Sequence, residues 1–432
     1  MKNSIIRGRT LTFNRKPSSA NDTGSFNYSD DSAILIKDGI IEKIGSFEEI
    51  KSKLPNNINI IDHRPNLIVP GFIDTHLHFP QVQIVASYAS NLLEWLNKYT
   101  FIEEQKYRNI SHSKAMAKKF FDTLINHGTT TAAAYCAVYP ESVEAFFQES
   151  HDRNMLMLGG KVLMDRNAPK DLLDTPKSSY DDTNRLIKKW HGTGRQLYAI
   201  SPRFAITSSP EQLEISKILL KENPDCYLQT HLSENKNEID LAKKLYPNIR
   251  DYTGIYEHYE ILGSKSLFGH CIHLSEREIK ILSDSKSVAI FCPTSNLFLG
   301  SGLFDFKSIF ENKTRIGTAT DIGGGTNFSM LKTMDEAHKI LQLQSQKLTP
   351  LESFYQLTLG NASALSLQEK IGTLEIGSDA DIVVLDSSST SAMKIRMKTV
   401  DNLLEELFIL QTMGDDRAIS QVYVKGVQFK NS

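Results

Sequence analysis

Pro70-Gly71-Phe72-Ile73-Asp74-Thr75-His76-Leu77-His78 says more about the fold than any other stretch of the 432-residue chain. Apolar residues lead into two histidines at i and i+2, and a strand points such residues to the same side. Two imidazoles converging at a strand end can bind one metal ion, and neutral imidazole suits Zn²⁺ or Fe²⁺. A pair of core or surface histidines that merely alternate would read the same way, so the rest of the chain has to decide.

Further along, Cys226-Tyr-Leu-Gln-Thr-His231 is another strand-like run ending in a histidine. Leu267-Phe-Gly-His270 repeats the pattern, and Ile316-Gly-Thr-Ala-Thr-Asp321 ends in a carboxylate. Barrel enzymes display ligands this way on the C-terminal rim of their strands. Scattered core histidines would not fall so consistently at strand ends, so the pattern points to one shared metal site. Glu234, three residues after His231, is placed to reach a metal-bound water and shuttle a proton. The plainer alternative is a surface carboxylate in the first turn of the next helix, favoured there by the helix dipole.

Other candidates are weaker. His273 is expected in the loop beyond His270, and Lys161 is expected as an ordinary loop or strand lysine rather than a carboxylated bridge between two metals. Gly323-Gly-Gly325 lacks the spacing of a phosphate loop and is expected to let backbone approach the metal site closely. His63, His112, His127, His151, His191, His258 and His338 have no supporting neighbours and are expected to be structural or surface residues.

Between Pro70 and Leu374, short apolar runs such as Met155-Leu-Met-Leu, Leu197-Tyr-Ala-Ile and Val288-Ala-Ile-Phe alternate with longer helical stretches. The spacing predicts helices over Ser113–Asn126, Pro210–Glu222, Asn235–Leu245 and Ser275–Ser283, with Pro210 at a first helical position and Ser275 and Glu278 forming a capping box. Repeated βα units over this length predict a (β/α)₈ TIM-like barrel, of the α/β class, across 70–374. Both chain ends read differently. Ala33 to Gly45 is a hairpin turning at Lys37-Asp38-Gly39, and Asp381–Leu385 and Gln421–Val424 are again strands. Ser387–Ser391 reads as a short polar loop. Residues 1–69 and 375–432 are therefore expected to form one small β-sandwich domain built from both termini.

Composition narrows the function classes. Net charge is −2, with 49 basic and 51 acidic residues, which argues against a nucleic-acid partner. No apolar run approaches the roughly 18 residues of a membrane helix, and Met1–Thr10, with Lys2, Arg7 and Arg9, has no signal-peptide apolar core. Cys136, Cys226, Cys271 and Cys292 are scattered without a Cys-x-x-Cys pair, as expected of reduced thiols in a cytoplasmic protein.

His76-x-His78, His231, His270 and Asp321, in that order over a barrel-length span, resemble the amidohydrolase superfamily, in its single-metal deaminase branch. Beyond the metal motif, His78-Phe-Pro-Gln81, Leu92-Leu-Glu-Trp-Leu-Asn-Lys-Tyr-Thr-Phe101, His127-Gly-Thr-Thr-Thr131 and Pro202-Arg-Phe204 are similar to the guanine deaminase family. So are Gln229-Thr-His-Leu-Ser-Glu-Asn235, Cys292-Pro-Thr-Ser-Asn296 and Thr320-Asp-Ile-Gly-Gly324, and the Leu-Leu-Glu-Trp-Leu block is the most specific of these. Two positions depart from the pattern: Ile206 stands where proline is expected, and Ala319 where glycine is usual.

The resemblance implies that His76, His78, His231 and Asp321 hold one Zn²⁺ per subunit, with Fe²⁺ as the alternative. It makes Glu234 the proton shuttle, gives His270 the task of orienting the attacking water or polarising the substrate, and has Asp321 assist the second proton transfer. Gln81 and Arg203 would hydrogen-bond a purine edge, since one carries both a donor and an acceptor and the other a planar fork of donors. Leu92 and Phe204 would flank the flat ring, and His231, Glu234 and Asp321 would complete the substrate contacts. The implied reaction is hydrolytic deamination of guanine to xanthine and ammonia by a cytoplasmic homodimer. Competing expectations are a deaminase on the same scaffold acting on another purine, a pyrimidine, a triazine or an S-adenosylhomocysteine-like substrate, and an inactive scaffold homologue. The His-x-Glu and Pro-Cys-x-x-Cys signature of deaminases that flip a base from nucleic acid is absent.

Overall fold

In the computed structural model the described residues are 3–54, 58–89 and 92–430, so Lys2 of the N-terminal stretch lies outside them. The chain divides into two compact units, one comprising residues 1–74, 122–131 and 329–432, the other 75–121 and 132–328. The division puts residues 329–374 with the chain ends, whereas sequence patterning groups them with the barrel.

Strands of the first unit form one seven-stranded sheet, ordered Val427–Gln428, Ile419–Val424, Ile382–Leu385, Asn59–Pro70, Ser4–Phe13, Phe26–Lys37 and Ile40–Gly45. The two termini meet where Ile382–Leu385 pairs antiparallel with Asn59–Pro70, Val384 opposite Ile68. The expected hairpin is present. Lys37 pairs with Ile40 across Asp38 (φ 50°) and Gly39 (φ 77°), a two-residue loop with positive φ at both positions that matches strand twist. Lys425-Gly426 makes a second such loop. Alternation sorts the apolar side chains: Ile6, Ile34, Ile36, Ile68, Ile382 and Val384 share one cluster, and Ile5, Ala33 and Leu35 join Ile50 in another. The expected β-sandwich domain is thus realised as one continuous sheet with two separate apolar clusters. Helices Met330–Leu343 and Leu403–Met413 belong to the same unit and are tied together by Gln411 Nε2 donating to Met334 O at 3.1 Å.

The second sheet has nine strands: eight follow one path in chain order, Phe72–His78, Thr129–Tyr135, Leu156–Gly160, Gln196–Pro202, Tyr227–Leu232, Ser266–His270, Val288–Phe291 and Arg315–Thr318, and the short Val162–Leu163 pairs with Gln196–Pro202 off that path. From Leu156–Gly160 onward each strand pairs in parallel with the next. Six of the eight strands are buried along their whole length, as strands covered on both faces must be. The ends of this path meet: Asp321 N donates to His76 O at 3.0 Å, His78 N to Ile322 O, and Thr75 Oγ1 to Thr318 O at 3.1 Å. This is the expected (β/α)₈ barrel.

The predicted helices appear as Ile110–Asn126, Pro210–Glu222, Lys236–Leu245 and Glu276–Asp284. Ser275 and Glu278 form the capping box, and Asn235 and Glu238 form another. The polar stretch expected to be a loop from Ser387 passes instead into a helix, Ser391–Met397, because Thr390 caps it by accepting from Met393 N. Lys161 is buried and pairs with Asp174, which settles its charge away from the histidines. Among the described residues no helix is long and apolar enough to cross a membrane, and the four cysteines are buried and form no disulfide.

Candidate active site

Parallel strands deliver their C-terminal residues to one rim, and the histidines read from the sequence converge there. His76 and His78 end the first strand, His231 sits near the end of Tyr227–Leu232, and His270 ends Ser266–His270. Backbone at this rim is strained. Ser233, His270, Cys271 and Asp321 all adopt positive φ, between 50° and 71°, without being glycine. Left-handed backbone at such residues is a cost that structures retain where side-chain placement demands it.

His76, His78 and His231 offer ring nitrogens within 4.8 Å of one another, and ligand atoms of His76, His270, Cys292 and Asp321 gather equally closely. His78 Nε2 and His231 Nε2 face each other at 3.1 Å, and Asp321 Oδ1 lies 3.4 Å from Nε2 of both His76 and His78. His231 Nδ1 donates to Arg203 O at 2.7 Å, which leaves its Nε2 lone pair turned into the cluster. Burial pushes His78 down to about 3 and His231 well below the usual histidine range, so both imidazoles are neutral. Burial would raise Asp321, but hydrogen bonds from His76 and His78 more than offset it and hold the carboxyl well below its usual range. Neutral imidazoles aimed at one another around a carboxylate, with buried His78 Nδ1 lacking a partner among the described residues, suit a divalent cation.

Glu234 and His270 complete the polar wall. His270 Nε2 is 3.4 Å from Glu234 Oε2 and 3.8 Å from Asp321 Oδ2. Its Nδ1 bonds Asn296 Oδ1 at 3.0 Å, which fixes the ring. Glu234 is no surface residue: it is buried, accepts from Ser301 Oγ at 2.9 Å, and is pushed up to about 8 by burial and then by the charge of Asp321.

A cavity of about 390 Å³, open mouth included, lies against this wall. Gln81, Leu92, Arg203, Phe204, His231, Glu234 and Asp321, all expected from the sequence, line it together with His78 and His270. The Leu92–Phe101 block forms its apolar side: Leu92, Trp95, Leu96 and Phe101 pack with Phe204, Leu299 and Ile206, the residue standing where proline is expected. Gly323 and Gly324 permit the close approach anticipated for them. A Cβ on Gly324 would stand 3.1 Å from Asp321 Oδ2, and one on Gly323 2.6 Å from Gln81 O. His273 lies beyond the cluster, bonded to Ser301 O at 2.8 Å.

Sequence reasoning misses five residues here. Glu104 holds both Arg203 and Gln81; it follows the Leu92–Phe101 block by three positions, and nothing local signals its role. Asn296 and Cys292 lie in the Cys292–Asn296 stretch, which carries the resemblance without assigning either a function. Trp95, in the Leu-Leu-Glu-Trp-Leu block, likewise has no role that the sequence alone reveals. Gly269 faces His76 so closely that a Cβ would stand 2.6 Å from its Cε1.

Comparison with known proteins agrees with this geometry. The profile of the amidohydrolase family matches residues 67–428. Guanine deaminase of Escherichia coli (strain K12) is 45% identical over 422 residues, covering 98% of this chain and 96% of that protein. The crystal structure of guanine deaminase from Bradyrhizobium japonicum superposes with a TM-score of 0.95 at 34% identity, covering 100% of both chains. Guanine deaminase from C. acetobutylicum, solved with guanine bound in its active site, superposes with a TM-score of 0.88 at 28% identity over 99% of this chain and 100% of that one. With the family profile spanning the barrel and the C-terminal strands of the other sheet, the chain belongs to the amidohydrolase family.

Proposed function

We infer that the chain catalyses hydrolytic deamination of guanine to xanthine and ammonia, with residues 70–374 as the catalytic barrel and 1–69 with 375–432 as its accessory β domain. One observation carries the reading: a single cavity is lined by Glu234, His270, His78, His231 and Asp321 together with Arg203 and Gln81. Relatives that bear this activity by name, one of them holding guanine, support it.

His76, His78, His231 and Asp321 would hold one Zn²⁺ per subunit, or Fe²⁺, which would lower the pKa of a bound water from 15.7 towards about 7. Arg203 and Gln81 take the polar edge of the base, and Leu92 and Phe204 flank its ring. Glu234, buried beside His270, accepts the proton of the attacking water as the oxygen adds to C2. It then returns that proton to the ring nitrogen. His270, held by Asn296, polarises the reacting centre. Asp321 assists transfer of the second proton to the exocyclic amine, which leaves as ammonia, and the carbonyl of xanthine remains. Water and guanine are thus fully accounted for by xanthine and ammonia. The same reading includes a cytoplasmic homodimer acting on a free base, with no nucleic-acid or membrane partner.

Guanine incubated with purified, zinc-loaded protein should show the ultraviolet change to xanthine with one equivalent of ammonia. A preparation confirmed to hold metal that leaves guanine unchanged would overturn the assignment.

A further inference from the structure

The Glu104 carboxylate is buried at 1% exposure, and the two residues it holds, Arg203 and Gln81, are 3% and 1% exposed. Arg203 Nη1 donates to Glu104 Oε1 at 2.9 Å and to Oε2 at 2.8 Å. Gln81 Nε2 donates to the same Oε1 at 2.9 Å, and Gln81 Oε1 accepts from Gly323 N at 3.2 Å. The amide of Gln81 is therefore fixed in one orientation, and the guanidinium is pinned by one nitrogen. Phe101, one turn before Glu104 on the same helix, places its ring 5.8 Å from the guanidinium carbon. Neighbouring charge is used elsewhere: Lys106 pairs with Glu103 at 2.5 Å. Among the described residues Arg203 is the cation paired with Glu104.

Arginine alone on the wall of a buried cavity would draw anions. Paired to a buried carboxylate, it offers N–H donors without net charge. This matters because substrate and product differ in acidity: guanine is neutral in mildly alkaline water, whereas xanthine, with a carbonyl in place of the amine, readily loses a ring proton. We propose that Glu104 sets the charge preference of this pocket by cancelling the Arg203 cation, so that the cavity admits the uncharged base and releases the anionic product. The proposal rests on the guanine reading of the cavity. Glu104 acts through Arg203 and Gln81 and is a positioning residue.

Replacing Glu104→Gln keeps the shape and removes the charge. The zinc-loaded variant is assayed with guanine in a mildly alkaline buffer, with xanthine as the anionic competitor and hypoxanthine as the neutral one. Xanthine inhibition should tighten by at least about tenfold, the scale set by deleting one buried unit charge a few ångströms from the ligand. KM for guanine should rise several-fold with kcat changed less, and hypoxanthine should weaken along with guanine. Parallel weakening of xanthine and hypoxanthine, or no change in either, would overturn the proposal by reducing Glu104 to a packing role. Should that variant not fold, Arg203→Gln leaves Glu104 uncompensated and must shift the xanthine-to-hypoxanthine ratio the opposite way. Calorimetric titration of both purines into metal-loaded protein reads the same ratio without turnover. Failure of the guanine assignment therefore appears as a dead parent enzyme, and failure of the Glu104 proposal as an unmoved ratio.

Discussion

Replacing Glu234→Gln tests the site through stability as well as turnover. Burial and the charge of Asp321 raise Glu234 from 4.5 to about 8 in the protein without metal. Near pH 4.5 and below, folded and unfolded chains both hold the proton, and the group contributes nothing. Above that, the unfolded chain ionises while the folded one keeps its proton, so the folded state binds more protons and stability falls as pH rises. At about 1.4 kcal/mol per pKa unit, the loss reaches roughly 5 kcal/mol near pH 8. Glutamine cannot ionise and escapes this loss. Glu238, pushed up to about 7 by burial and then by Glu234, shifts the balance in the same direction. Denaturant unfolding of the chelator-treated wild type and variant at several pH values measures the gap. It should be near zero at mildly acidic pH and widen in the variant's favour towards pH 8. A gap that stays constant, or widens the other way, would refute the burial argument. The metal-loaded variant should retain its ion and lose at least about 100-fold in kcat, the usual scale for a general acid–base.

Asn296→Ala deprives His270 Nδ1 of its acceptor, and kcat should fall by about 10–100-fold with metal content unchanged, as for other supporting partners of site histidines. Gly269→Ala sets a methyl 2.6 Å from His76 Cε1, so metal per subunit, read by elemental analysis, should fall well below the parent's. Ile382→Ala empties a fully buried position of the terminal sheet and should cost about 2–5 kcal/mol in denaturant unfolding, while kcat per folded molecule is retained.

The barrel and its histidine-bearing rim are legible because a parallel strand carries its own address: an apolar run, a small residue, then a histidine or carboxylate. His76, His231, His270 and Asp321 obey that grammar, after Thr75, Thr230, Gly269 and Thr320, and His78 follows two residues after His76 on the same face of the strand. Glu104 obeys none, since its meaning arises from a partner 99 residues away in sequence. Asn296 meets His270 across 26 residues, and Gly269 is needed only because the His76 ring arrives from another strand. Cys292 has no second cysteine nearby in sequence to draw notice, whereas its neighbours in space are histidines and an aspartate. Glu234 is readable only with the other histidines in view; locally it is indistinguishable from a first-turn helix carboxylate. Regrouping of residues 329–374 with the termini depends on packing between helices that sequence periodicity describes one at a time.

Residue 203 serves the site twice, through different atoms. Its side chain lines the cavity, while its backbone carbonyl orients His231. Every amino acid owns that carbonyl. Mutation can therefore explore new side chains at 203, and with them new substrates, while the histidine stays anchored. The fold separates what evolution can vary from what it must keep within a single residue, a form of insulation that favours divergence of specificity on a conserved reaction centre.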